Sequence, residues 1–190
     1  MRFYVGRVLS ITLATVVATG AIAIAAAAPK IERTPVPKPP TPDFSSMKFL
    51  LGTWSCRTQS SRRPAPFSST TTNSIDPTGY WMIAKSFNPK TSWFPYTTRS
   101  TDMTTYDPDA HRWVDVFTAD LGGYDVTTSP GWRGNTMTWT DALFTPTKDV
   151  LSVTPTINTK VSDTKITSYN TFTEGSGRTI TVRTVCNKSS

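Results

Sequence analysis

The 190-residue sequence is poor in the side chains from which most enzyme and metal sites are built. It has one histidine, His111, and two cysteines, Cys56 and Cys186. Glutamate occurs only as Glu32 and Glu174. Zinc and iron sites draw on several His or Cys ligands, so this inventory supports no metal site. A histidine-based triad would have to be built on His111 with Asp107 or Asp109. Asp107 and Asp109 belong to the Asp-Pro-Asp-Ala segment and His111 follows it, so all three sit in one hairpin turn, where short polar residues serve the turn backbone. No Gly-x-Ser-x-Gly, glycine-rich phosphate loop or glutamate-flanked histidine pair is present. No catalytic residue is assigned. A carboxylate enzyme would depend on the aspartates within candidate strands, Asp102, Asp115, Asp125 and Asp141, each needing an Arg or hydrogen-bond partner if buried. Arg99, Arg112 and Arg133 are the candidate partners.

Clustered positive charge is also missing. The formal charge is +7, but Lys and Arg are scattered, and Arg62-Arg63 is the densest pair. Nucleic-acid binding needs a basic face, so no nucleic-acid partner is expected.

The N-terminus is organised differently. Arg2 and Arg7 precede an apolar run from Val8 to Ala27 that ends in alanines. This is the layout of a secretory signal peptide. The expectation is a signal peptide over 1–27, cleaved after Ala27, and a secreted or periplasmic, extracytoplasmic protein. The alternative is an uncleaved anchor, since the run is about long enough to span a bilayer. Membrane contact is expected through that segment alone. Residues 28–44 form a Pro-rich linker without a core of its own, and the domain covers 45–190. Two cysteines in an exported chain favour one disulfide, which requires the domain's first and last strands to lie side by side.

Long helical periodicity is absent from Phe49 onward, apart from a possible helical turn over Ser45–Lys48. Thr, Ser, Val, Ile and aromatic residues dominate, with turn signals about every ten positions, as in an all-β sandwich or barrel. Candidate strands are 50–58, 66–75, 79–87, 97–106, 112–118, 123–129, 135–143, 150–154, 164–173 and 178–186. The short connections imply sequential hairpins, and such a meander removes its two edges only by closing. Period-two alternation puts Trp54 and Cys56 on one face. It puts Ile180, Val182, Thr184 and Cys186 on one face too, so both cysteines point inward.

Four segments resemble the lipocalin-like, or calycin, barrels, and more closely the bacterial DUF1579 family and the nitrobindin-like barrels. They are Phe49-Leu50-Leu51-Gly52-Thr53-Trp54, Asp76-Pro77-Thr78-Gly79-Tyr80, Tyr106-Asp107-Pro108 with the hairpin to Trp113, and Gly131-Trp132-Arg133-Gly134. The resemblance covers roughly residues 45–188. It implies a closed or nearly closed antiparallel up-and-down barrel of about eight to ten strands with an internal cavity. Nitrobindin-like proteins hold haem through a late histidine. This chain has none there, so haem is disfavoured and no cofactor is expected.

The aromatic content offers the remaining signal. Six tryptophans either line a ligand site or fill the barrel. Trp54 reads best as structure, closing one barrel end. In 164–173, Ile166, Ser168, Asn170 and Phe172 share a face. If the apolar pair is inward, a hydroxyl and an amide are inward too, and buried polar groups need partners. Trp54, Met103, Met137, Trp139, Ser168, Asn170 and Phe172 are therefore the candidate cavity residues. The loop Phe87–Tyr96, with Lys90 its only charge, is either a lid or contact surface, or it folds its rings back on the domain. The expected role is binding of a small, partly apolar ligand. The alternatives are an enzyme using cavity Asp and Tyr residues, and an envelope interaction module with a filled barrel. Oligomeric state is open.

Overall fold

The computed structural model describes residues 36–143 and 150–189. The expected signal peptide and linker residues 28–35 lie outside them. Pro39–Ser190 form one compact unit. It begins before the expected boundary, because the Tyr80 hydroxyl donates to the Pro39 carbonyl and Phe44 packs on Trp113.

Among the described residues, a 3-10 helix, Ser45–Leu50, is followed by twelve strands. These are β1 (Gly52–Ser60), β2 (Phe67–Ile75), β3 (Met82–Asn88), β4 (Thr98–Asp107), β5 (Arg112–Ala119) and β6 (Tyr124–Ser129). Then come β7 (Trp132–Arg133), β8 (Thr136–Leu143), β9 (Ser152–Val153), β10 (Thr156–Ser162), β11 (Lys165–Thr173) and β12 (Thr179–Lys188). Ten of them close a ring in the order β1-β2-β3-β4-β5-β6-β8-β10-β11-β12, with every neighbouring pair antiparallel. This is an up-and-down barrel, as the turn signals implied. β7 forms a short hairpin with β8, and β9 pairs with the end of β11.

Closure differs from the sequence reading at one place. Thr156–Ser162 was not expected as a strand, yet β10 bonds to both β8 and β11 and completes the ring. Its apolar residues, Ile157 and Val161, face outward and are exposed, so its alternation is inverted relative to a half-buried strand.

The seam between β1 and β12 behaves as alternation required. Cys56 lies directly opposite Cys186 and the two form a disulfide, with Cα atoms 4.0 Å apart. A structural disulfide is compatible with an extracytoplasmic setting.

One barrel end is plugged. Met47 from the 3-10 helix packs with Met82, Trp113 and Met137. The helix takes the residues just before Gly52, which is why β1 starts later than expected. Trp54 is 2% exposed, and its Nε1 donates to the Leu50 carbonyl at 2.7 Å. Lys188 Nζ donates to the Phe49 carbonyl at 2.9 Å. The Gly-x-Trp segment thus ties the plug to the seam and serves structure.

Candidate functional site

The barrel interior is unusually polar for a small core. Strand register puts Thr104, Asp115, Thr127 and Asp141 in one inward row across β4, β5, β6 and β8. The row beside it holds Asp102, Phe117 and Asp125. Small barrels are normally filled by large apolar side chains. Short Thr, Ser, Asn and Asp side chains cannot fill the space, and a cavity of about 400 Å³ remains above the plug. Met137, Trp139 and Phe117 supply apolar wall, and Asp102, Asp115 and Asp125 supply carboxyls. Among the described residues, no Lys or Arg lines it.

The carboxyls are not equivalent. Burial, and then the charge of Asp115, push the Asp102 carboxyl up to about 7. Asp102 has no hydrogen bond among the described residues. Asp115 is also raised by burial, but the Thr104 hydroxyl donates to its Oδ1 at 2.6 Å and opposes the shift. Asp125 is raised by burial against a bond from the Val126 amide, and Asp141 is raised by burial and by Asp125. Removing a carboxylate from water disfavours its charged form. The expected arginine partners do not serve here. Arg99, Arg112 and Arg133 are exposed, and among the described residues none pairs with these carboxyls.

One polar atom is fully buried without a partner. Trp132 lines the same cavity, and its Nε1 is buried without a hydrogen-bond partner. Buried indole N–H groups ordinarily find an acceptor. The cavity therefore presents one orphaned donor and, in Asp102, a carboxyl without a hydrogen bond among the described residues.

The candidate residues from sequence divide as follows. Met137, Trp139 and Ser168 line the 400 Å³ cavity. Trp54 lines an adjoining space of about 170 Å³ beside the disulfide, which shares Ser168 and Asn158 with it. Phe172 lines a different cavity at the other barrel end. Asn170 lies on the inner face between Ser168 and Phe172 by register. Met103 does not belong to the site. It alternates with Asp102 and Thr104, which face the cavity, and so projects from the outer face of β4. His111 is exposed in its turn, at φ 51°. Asp102, Asp115, Asp125 and Trp132 were not named as ligand contacts from sequence. Aspartate is disfavoured within strands, so four strand aspartates were themselves the available signal.

Among the described residues, no group of three or more His, Cys, Asp or Glu side chains is placed to hold a metal ion. Compared with known proteins, the chain matches no protein-family model and no curated protein.

Proposed function

We propose that this is an exported, lipocalin-like barrel, of the DUF1579 and nitrobindin-like kind, that binds a small, partly apolar molecule in its interior cavity without catalysis. One observation carries the reading. A cavity of about 400 Å³ contains a buried, unpartnered Trp132 Nε1 and an unpartnered Asp102 carboxyl between apolar walls. Ligand pockets of this size range combine apolar lining with a few convergent polar groups. An orphaned buried donor costs about 1–3 kcal/mol, which a bound acceptor recovers. The ligand that fits carries an acceptor for Trp132, a hydrogen-bond donor or amine for the aspartates, and an aromatic or alkyl body. Export is supported by the signal-like N-terminus and the disulfide.

Native mass spectrometry of protein purified from its own host, with calorimetry using 2-phenylethylamine and 2-phenylethanol, tests the reading. The expected result is a retained adduct or amine binding that Asp102→Asn weakens by about tenfold and Met103→Ala leaves unchanged. Adduct-free preparations that bind neither probe overturn it.

A catalytic reading has one observation in its favour, since a carboxyl titrating near 7 suits general acid–base work. Turnover of a bound ligand, lost in Asp102→Asn while binding persists, would replace the binding reading with it.

A further inference from the structure

The other end of the barrel, away from the plug, holds a cavity of about 350 Å³ that shares no lining residue with the interior one. It is built from the β1–β2 turn, the end of β11 and the loop between β3 and β4. Phe67, Trp93, Phe94 and Phe172 form its walls, and Arg62 and Arg63 its rim.

The loop is held as a unit. Asn88 Nδ2 donates to Thr98 Oγ1 at 3.0 Å, closing its base. The Thr91 amide donates to the Phe94 carbonyl at 2.8 Å, and the Phe94 amide returns to Thr91 Oγ1 at 3.0 Å. Trp93 packs edge-on to Phe67 at 5.8 Å and tilts against Phe94 at 6.3 Å. The loop thus turns these two rings back onto the barrel while Tyr96 stays exposed. Side chains fixed before binding spare the ligand the entropy of ordering them.

Among the described residues, charge at this mouth does not cancel. Arg62 Nε meets Glu174 Oε1 at 3.0 Å and Arg178 Nε meets Glu174 Oε2 at 2.8 Å. Both oxygens of one carboxylate are committed to two guanidiniums. The third, Arg63, makes no ion pair among the described residues and lies over the Trp93 ring at 4.7 Å. A guanidinium stacked on an indole is oriented, weakly hydrated and presents a planar fork of donors that matches a carboxylate.

We propose that this mouth is a second, independent binding site, for a small aromatic carboxylate whose ring enters among Phe67, Trp93, Phe94 and Phe172 and whose anionic head meets Arg63 and Arg62. The surplus guanidinium selects the charge, and the ring-lined wall selects the body. The interior cavity, lined by carboxyls, would repel the same ligand.

Calorimetry on the full chain with naphthalene-2-carboxylate and its neutral isostere naphthalene-2-carboxamide tests this. The carboxylate should bind about tenfold more tightly than the amide at low salt, and the preference should shrink as salt rises. Arg63→Gln should remove most of that preference and leave amide binding unchanged, while Arg63→Lys should retain part of it because charge survives and the fork does not. Phe94→Ala should weaken both ligands. Asp102→Asn should change neither, which separates this site from the interior one. Equal binding of carboxylate and amide in the wild-type protein, no binding of either, or loss of carboxylate binding in Asp102→Asn overturns the proposal. The wild-type comparison holds even if an Arg63 variant fails to fold.

Discussion

The Thr104 hydroxyl donates to Asp115 at 2.6 Å across the β4–β5 pair, whereas Asp102, on the same face of β4, has no hydrogen bond among the described residues. Two carboxyls in one cavity are therefore held differently. Burial raises both carboxyls, and the Thr104 bond opposes that rise at Asp115 alone.

Asp102 should tax stability only when it is ionised. Its folded carboxyl titrates at about 7 against an ordinary 3.8. Between those values the folded state binds more protons than the unfolded chain, so stability falls as pH rises through that window. Asp102→Asn should be the more stable protein at about pH 8, by no more than about 4 kcal/mol, and should lose that advantage near pH 3.5. Urea unfolding at the two pH values measures it. An equal difference at both would show that the carboxyl is not the cause.

Reducing the Cys56–Cys186 bond should cost about 2–4 kcal/mol, because it frees a long loop in the unfolded chain. The two residues are 130 apart in sequence. Seven residue pairs hold β1 to β12 apart from any covalent link, so the far-ultraviolet spectrum should survive reduction. Urea midpoints with and without a phosphine reductant test both statements, and a reduced protein that loses its sheet signal contradicts the second.

Gly131→Ala should be more damaging than Gly134→Ala. Gly131 has φ +97°, and an added Cβ would lie 3.4 Å from Trp113 Nε1, inside the plugged end. Gly134 has φ +63° and open space around it. Left-handed strain alone costs roughly 1 kcal/mol for an alanine, and the Trp113 contact adds to it at Gly131. Thermal midpoints of the two variants should separate in that order.

Glu174→Gln should weaken the fold in a pH-dependent way. The bond from Arg178, with the charges of Arg178 and Arg62, holds the Glu174 carboxyl below its ordinary 4.5, against an opposing effect of burial. Its stabilisation is present above that ordinary value and is lost as pH falls through the lowered folded one. The variant should melt below wild type at neutral pH and converge with it in strong acid. A gap that persists in acid would mean that packing, rather than charge, is responsible.

The barrel was legible in its turns more than in its strands. Asp76-Pro77-Thr78-Gly79 and Asp107-Pro108-Asp109-Ala110 punctuate the chain whatever the strands contain, because turn chemistry is local. The cysteine faces were legible because alternation on β1 and β12 is regular. β10 was not, because Ile157 and Val161 point to solvent while Thr156 and Asn158 line the cavity. Where a barrel encloses polar space, the inward face no longer reads as the apolar one. The same inversion hid the site. Met103 reads as an inward residue because it is apolar, yet its neighbour Asp102 is the one that faces inward. Trp132 was visible as a motif residue, but its missing partner exists only in three dimensions.

Because the disulfide joins the first and last strands of a closed barrel, residues 56–186 form a covalent circle. A protease that nicks one exposed turn, such as Gly175–Gly177, would release no fragment and would leave every strand with its neighbours. Such a molecule keeps its mass on a non-reducing gel and betrays the cut only when reduced. In a protease-rich compartment, tolerance of a single break is a form of durability that unfolding free energy does not measure.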